Sequence, residues 1–183
     1  MPRRNLPRAF DLSSWAYFLD FAIVPIATVA SCFYGFAHGL SEIAAWPSFL
    51  SGVLIWSFAE YWIHRGVFHG PTRFEPMHQQ HHALPKDMIG AASWTTFAGF
   101  SLFWLAAMIC SGQGIGSMVT AGFMTGYLVY CTIHVSMHHA GALGFGRYGR
   151  MMMRLHQAHH RGGKGNFGVT SPLWDYVFGT LRA

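Results

Sequence analysis

Long stretches of this chain contain no charged side chain, and those stretches set its elements. Residues 21–41 carry no Asp, Glu, Lys or Arg, about the length a bilayer-crossing helix requires. A second apolar run covers residues 43–59 and closes on the aromatic group Trp56, Phe58, Tyr61 and Trp62. Residues 88–146 are again free of charge, interrupted only by Ser111-Gly112-Gln113-Gly114. That break predicts two helices, roughly 90–110 and 115–137, with a glycine turn between them. Helices apolar on every side belong in lipid or in a deep core. The pattern predicts an all-α integral membrane protein with four transmembrane helices arranged as two hairpins.

Composition and charge place these helices. Apolar residues make up 52% and charged residues 10% of the 183, against about 25% charged in an ordinary soluble domain. The length suits one domain, residues 1–183. The net charge of +5 does not call for nucleic acid, because the basic residues lie in three places: Arg3, Arg4 and Arg8; Arg65, Arg73 and Lys86; and Arg147 onward. The connections near 38–46 and 111–114 hold no Lys or Arg, so the positive-inside rule puts the N-terminus, the 64–87 segment and the C-terminal tail on the cytoplasmic side. The membrane expected is a bacterial inner membrane, or the endoplasmic reticulum in a eukaryote. The first span is too long for a signal-peptide core and a second follows closely, so it reads as a span. Cys32, Cys110 and Cys131 lie in apolar segments without a C-x-x-C pair and read as buried small hydrophobes. The glycines at 112, 114 and 116 follow no strand, which removes a nucleotide-binding reading.

Polar chemistry is concentrated in histidine. Eleven of the twelve histidines fall in four clusters: His64 and His69; His78, His81 and His82; His134, His138 and His139; His156, His159 and His160. The topology brings all four to one face of the membrane and leaves His38 on the other. Residues three and four apart share a helix face, so His78, His81 and His82 are expected to point one way, as are His156, His159 and His160, and His134 with His138. His64 and His69 do not share an α-helical face, so the chain is expected to turn between them, at Gly66 or Gly70–Pro71. Each cluster alone is too small for a metal shell and together they exceed one, so the economical reading is a histidine-rich dimetal site. Ionisable residues at a membrane default to function.

Imidazole suits Zn, Cu, Fe and Ni alike. A dinuclear nitrogen-rich site suits iron that changes oxidation state, with zinc a possible occupant of a purified sample. Glu60, one turn before His64, and Asp175 are the candidates for orienting the ligands through hydrogen bonds, the alternative for each being an interfacial charge or a cap. His139 is assigned a similar supporting place. Trp56, Trp62, Phe68, Phe74, Met77, Met151, Met152 and Met153 are either an acyl channel or core and interface anchors.

The clusters, the run His81-His82-Ala83-Leu84-Pro85-Lys86-Asp87, and above all the tail Asn166-Phe167-Gly168-Val169-Thr170-Ser171 with Trp174-Asp175-Tyr176-Val177-Phe178-Gly179-Thr180 resemble the fatty acid hydroxylase/sterol desaturase superfamily, most closely the fatty acid 2-hydroxylases, over about residues 50–181. The resemblance implies ten metal ligands: His64, His69, His78, His81, His82, His134, His138, His156, His159 and His160. It also implies two Fe ions under a cytosolic helical cap, O2 as oxidant, no catalytic residue beyond the ligands, and hydroxylation of a lipid acyl chain at C2. Some members carry a fused haem electron carrier; no such motif is present here, so the expected donor is a separate protein of haem-carrier or ferredoxin type. A lipid desaturase or a carotenoid or sterol hydroxylase shares this chemistry. A membrane metal transporter is the rival of another class, and it would need ligands deep in the spans with access from both faces.

Overall fold

A computed structural model describes residues 10–140 and 146–182, all helix, turn and loop apart from one isolated β-bridge between Asp11 and Ile89. The helices are α1 (Ser14–Ala37), α2 (Glu42–Trp62), α3 (Glu75–Ala83), α4 (Ser93–His139), α5 (Gly146–Gly162) and α6 (Leu173–Val177). A six-residue π-helix, Ile63–Phe68, continues α2 without a break. Arg3, Arg4 and Arg8 lie outside the described residues.

Three helices are long and apolar enough to cross a membrane: α1, α2 with its π-helical extension, and α4. Large apolar side chains on their outer faces, such as Ile26, Phe33, Ile43, Leu54, Leu102 and Ile109, are exposed. A chain that leaves such a surface open is a membrane protein. Pro25 and Pro47 sit inside α1 and α2, where membrane helices tolerate them. Helix α1 begins seven residues before the charge-free window and takes Asp20 into the bundle, where it is 8% exposed.

Helix α4 has 47 residues, which would extend about 70 Å if straight, more than twice the roughly 30 Å hydrocarbon core. It is not straight. Gly112 takes φ 82° and ψ 166°, a conformation glycine adopts at no steric cost, and the second arm runs back along the first. Trp104 Nε1 donates to Ser117 Oγ at 2.9 Å, and the rings of Phe103 and Phe123 stack at 4.0 Å. The break expected over four residues is made by one.

Small residues set the crossing of α2 and α4. A Cβ on Gly52 would come within 1.9 Å of the Val119 carbonyl oxygen, and one on Gly122 within 1.9 Å of that of Phe49. Backbones this close are the membrane mode of helix packing. Trp56, Val24, Phe100, Phe123 and Met124 form the core above this contact. The crossing sets the end of α2, with His64, beside the end of α4, with His134 and His138. Helices α3, α5 and α6 gather around those ends. His38 lies at the opposite end, against Gly114. Of the cysteines, Cys110 is exposed and Cys32 and Cys131 are half-buried, all three free, so the expected burial fails at Cys110.

Candidate metal centre

Ten of the eleven clustered histidines converge into two groups of five. The ring nitrogens of His64, His69, His78, His82 and His159 lie within 4.8 Å of one another, as do those of His81, His134, His138, His156 and His160. The two groups adjoin: the rings of His82 and His160 stack at 4.3 Å across the boundary. His139 is exposed and belongs to neither.

Two expectations change. His64 and His69 would stand about 140° apart on a regular α-helix. The π-helix widens the turn, with His69 N bonded to the His64 carbonyl at 3.2 Å, and both rings enter one group, so no turn separates them. Single π-turns of this kind recur at functional sites. The two clusters on α3 and α5 do not each face one way. Positions i+3 and i+4 flank position i on opposite sides, about 100° apart. On α3, His78 and His82 enter the first group and His81 the second; on α5, His156 and His160 enter the second and His159 the first. Each group therefore has one recipe: two imidazoles from the end of a long helix, an i,i+4 pair from a short helix, and a single ring from the other short helix.

The nitrogens meet as acceptors. His64 Nδ1 donates to the Phe167 carbonyl at 2.6 Å and His159 Nδ1 to that of Gly165 at 2.8 Å. A neutral imidazole has one N–H, so both Nε2 atoms present bare lone pairs. His64 Nε2 lies 3.0 Å from His78 Nε2, which also lies 3.1 Å from His69 Nε2 and 3.0 Å from His82 Nε2. In the second group, His138 Nε2 lies 3.1 Å from His134 Nε2 and 2.9 Å from His156 Nε2. One hydrogen cannot serve three nitrogens. A cation at the centre resolves such a cluster, and either group can hold a metal ion.

Burial keeps the rings neutral. His69, His82 and His159 are lowered to about 4 and His160 to about 3, first by desolvation and then by neighbouring histidines. His78, His81 and His156 fall further for the same causes in the same order. Neutral imidazole is the ligand form.

Glu60 and Asp175 stand one step behind the histidines and hydrogen-bond to none of them among the described residues. Glu60, 3% exposed, accepts from Val169 N at 2.6 Å, Thr170 N at 2.8 Å and Thr170 Oγ1 at 2.6 Å. Asp175, 1% exposed, accepts from Phe167 N at 2.8 Å, Gly168 N at 2.7 Å and Thr180 Oγ1 at 2.7 Å. Together they clamp the segment whose Phe167 carbonyl holds His64. Asn166, at φ 56°, closes the clamp through Leu155 O at 3.2 Å and Arg182 O at 2.9 Å. The tail motif is thus a backbone cradle. The carbonyls of Gly165 and Phe167 carry no sequence signal of their own; the dense tail motif was the only pointer to them.

A cavity of about 550 Å³ meets both groups, lined by His64 and His78 from one and His81 and His134 from the other. The rest of its wall is largely apolar and runs between α1, α2 and α4 to Phe100, Phe103 and Phe123. Of the residues proposed for a channel, Trp56, Phe68, Phe74 and Met77 line it; Trp62 and Met151, Met152 and Met153 do not. Met152 is core, packed with Met137 and Val169.

Membrane helices, two imidazole groups and an apolar cavity between them define a membrane protein able to hold metal beside a lipid-sized space. The model of the fatty acid hydroxylase family matches residues 49–180, and the chain belongs to that family. It is 31% identical to a dihydroceramide fatty acyl 2-hydroxylase of Arabidopsis thaliana, over 96% of this chain and 80% of that protein. It is 29% identical to fatty acid 2-hydroxylase of Macaca fascicularis, over 92% of this chain and 48% of that one, so it spans about half the length of the mammalian relative. A solved structure described as full length scs7p, with only the hydroxylase domain visible, superposes with a TM-score of 0.73 at 21% identity, over 98% of this chain and 70% of that one. That likeness shows the fold.

Proposed function

We propose that this chain hydroxylates the acyl chain of a membrane lipid at C2, with O2 as oxidant, electrons from a separate donor protein, and two iron ions as cofactors. The observation that carries the reading is the cavity wall, where an apolar space of about 550 Å³ is bounded by histidines of both groups. Pockets of this size hold ligands of acyl-lipid scale.

One ion is assigned to His64, His69, His78, His82 and His159 and the other to His81, His134, His138, His156 and His160. Nitrogens about 2.1 Å from an ion stand about 3.0 Å apart at right angles and about 3.4 Å apart in a tetrahedron. The separations of 2.9–3.1 Å and the five donors per group favour a metal with more than four positions over tetrahedral zinc. Iron supplies the redox chemistry by which O2 is reduced as a C–H bond is oxidised. One oxygen atom enters the lipid and the other leaves as water, so two electrons and two protons must arrive from outside. The chain's own residues then have three tasks. The imidazoles hold the ions, Glu60 and Asp175 fix the cradle that aims His64, and the aromatic wall excludes water and aligns the acyl chain.

In this reading α1, α2 and the two arms of α4 make four crossings, and the histidine end faces the cytoplasm, where the basic residues lie. Arg147, Arg150, Arg154 and Arg161 are exposed along one side of α5, the helix that carries ligands to both groups. They offer an acidic haem carrier or ferredoxin a docking face. Transport would need access from the far end, where the connections are short and the histidine groups are absent.

The test is lipid mass spectrometry of cells expressing the chain or its His78→Ala variant, with a reductant supplied. A gain of one oxygen at C2, lost in the variant and in zinc-loaded protein, is expected. Loss of two hydrogens would mark a desaturase, and metal flux without O2 consumption a transporter.

A further inference from the structure

The cavity contains one carboxylate that neither the histidine groups nor their cradle uses. Asp20, in α1, lines it and is 8% exposed. Its Oδ2 accepts a hydrogen bond from the Tyr127 hydroxyl. Its Oδ1 is buried and has no hydrogen-bond partner among the described residues. A brace between α1 and α4 needs Oδ2 alone. The second oxygen is left as an uncompensated acceptor in an apolar wall, which is costly, and ionisable residues among membrane helices point to function.

Its position is fixed relative to the histidines. Tyr127 precedes His134 by seven residues on the same arm of α4, two turns and about 10 Å away on one face. Tyr130 lies between them, its ring stacked on His134 at 5.5 Å. Trp56 packs on Tyr127 at 5.3 Å and on Tyr130 at 5.9 Å. All of these residues line the cavity.

We propose that Asp20 Oδ1, held by Tyr127, is a subsite for a hydrogen-bond donor on the lipid, a hydroxyl or an amide N–H, and that this anchor sets which carbon stands at the histidine groups. The inference rests on the reading of the cavity as an acyl-lipid site. A carboxylate only accepts, so an ester-linked chain, whose linkage also only accepts, meets an unpaired oxygen there. An amide-linked or hydroxylated lipid satisfies it. The subsite therefore selects by donor and measures from it.

The test uses the full chain in nanodiscs and native mass spectrometry, with two probes of matched chain length competing: an N-acyl amide lipid with a free hydroxyl, and a diester phospholipid. The wild type is expected to retain the amide lipid about tenfold over the diester, the scale of one charge-assisted hydrogen bond. Asp20→Leu and Asp20→Ala, which remove the acceptor, bring the ratio toward one, with unchanged metal content reporting that they fold. Where product forms, the wild type gives one positional isomer and the variants a mixture. An even ratio in the wild type, or Asp20 variants with unaltered ratio and positions, overturns the subsite. Selective binding of the amide lipid without any hydroxylation would instead overturn the oxygenase reading and leave the subsite standing.

Discussion

The two histidine groups share a recipe and differ in what stands behind them. In the first, His64 and His159 each donate Nδ1–H to a backbone carbonyl, and Glu60 and Asp175 clamp the segment that carries one of those carbonyls. In the second, His81 Nε2, His156 Nδ1 and both nitrogens of His160 are buried without a hydrogen-bond partner among the described residues. That group is backed by packing instead: Tyr130 stacks on His134, and Met137 and Met152, on the helices that carry His138 and His156, form a buried cluster with Val169. Partners behind a ligand fix its ring and raise its basicity. The first group is therefore backed by hydrogen bonds to the tail and the second by apolar packing.

The largest test of that contrast removes one ligand from each side. His78→Ala and His138→Ala are each expected to abolish hydroxylation and to lower bound metal by one ion per chain, read by elemental analysis. A chain that loses both ions from either change would show one shared site in place of two. Next comes the clamp. Glu60→Gln or Asp175→Asn should weaken metal binding about 10- to 100-fold at the first group alone, seen as a faster early phase of release to a chelator with the second phase unmoved.

Acid separates the groups less sharply. Metal-free protein holds its imidazoles neutral well below their ordinary value of 6.5, near 4 for His69, His82 and His159 and near 3 for His160. Between 6.5 and those values the unfolded chain binds protons that the folded chain does not, so stability falls as pH falls through that window. Thermal melts of metal-free protein should shift downward from pH 6.5 to about pH 4, and be flat above pH 7 as far as these groups are concerned. The smallest effect is at the surface: Arg150→Glu with Arg154→Glu should raise KM for the electron donor a few-fold, more at low salt, while both metal sites stay filled.

Much of the fold was legible because membrane helices announce themselves by length and by the absence of charge. The break at Gly112 followed from glycine spacing. Asp20 was missed for the converse reason: an acidic residue looked like the end of a span, whereas the helix extends past it and buries it against Tyr127. The π-helix was missed because its registry costs the sequence nothing visible; His64-x4-His69 reads as a turn until the backbone is seen. Glu60 and Asp175 were expected to orient the histidines directly or to stand as an interfacial charge or cap, but they accept from backbone N–H groups and threonine hydroxyls of the tail, and no side-chain pattern encodes a backbone partner.

Spacing and hydropathy are local properties of the chain, and they sufficed to gather ten histidines, the tail motif and the apolar stretches into one expected metal site at a membrane. Which histidine joins which group came from the packing of the helices. Spacing fixes the angles between rings on one helix, but not which neighbour lies on each flank. His78 and His81 diverge because the crossing at Gly52 and Gly122 sets the end of α2 beside that of α4, and α3 and α5 lie across both.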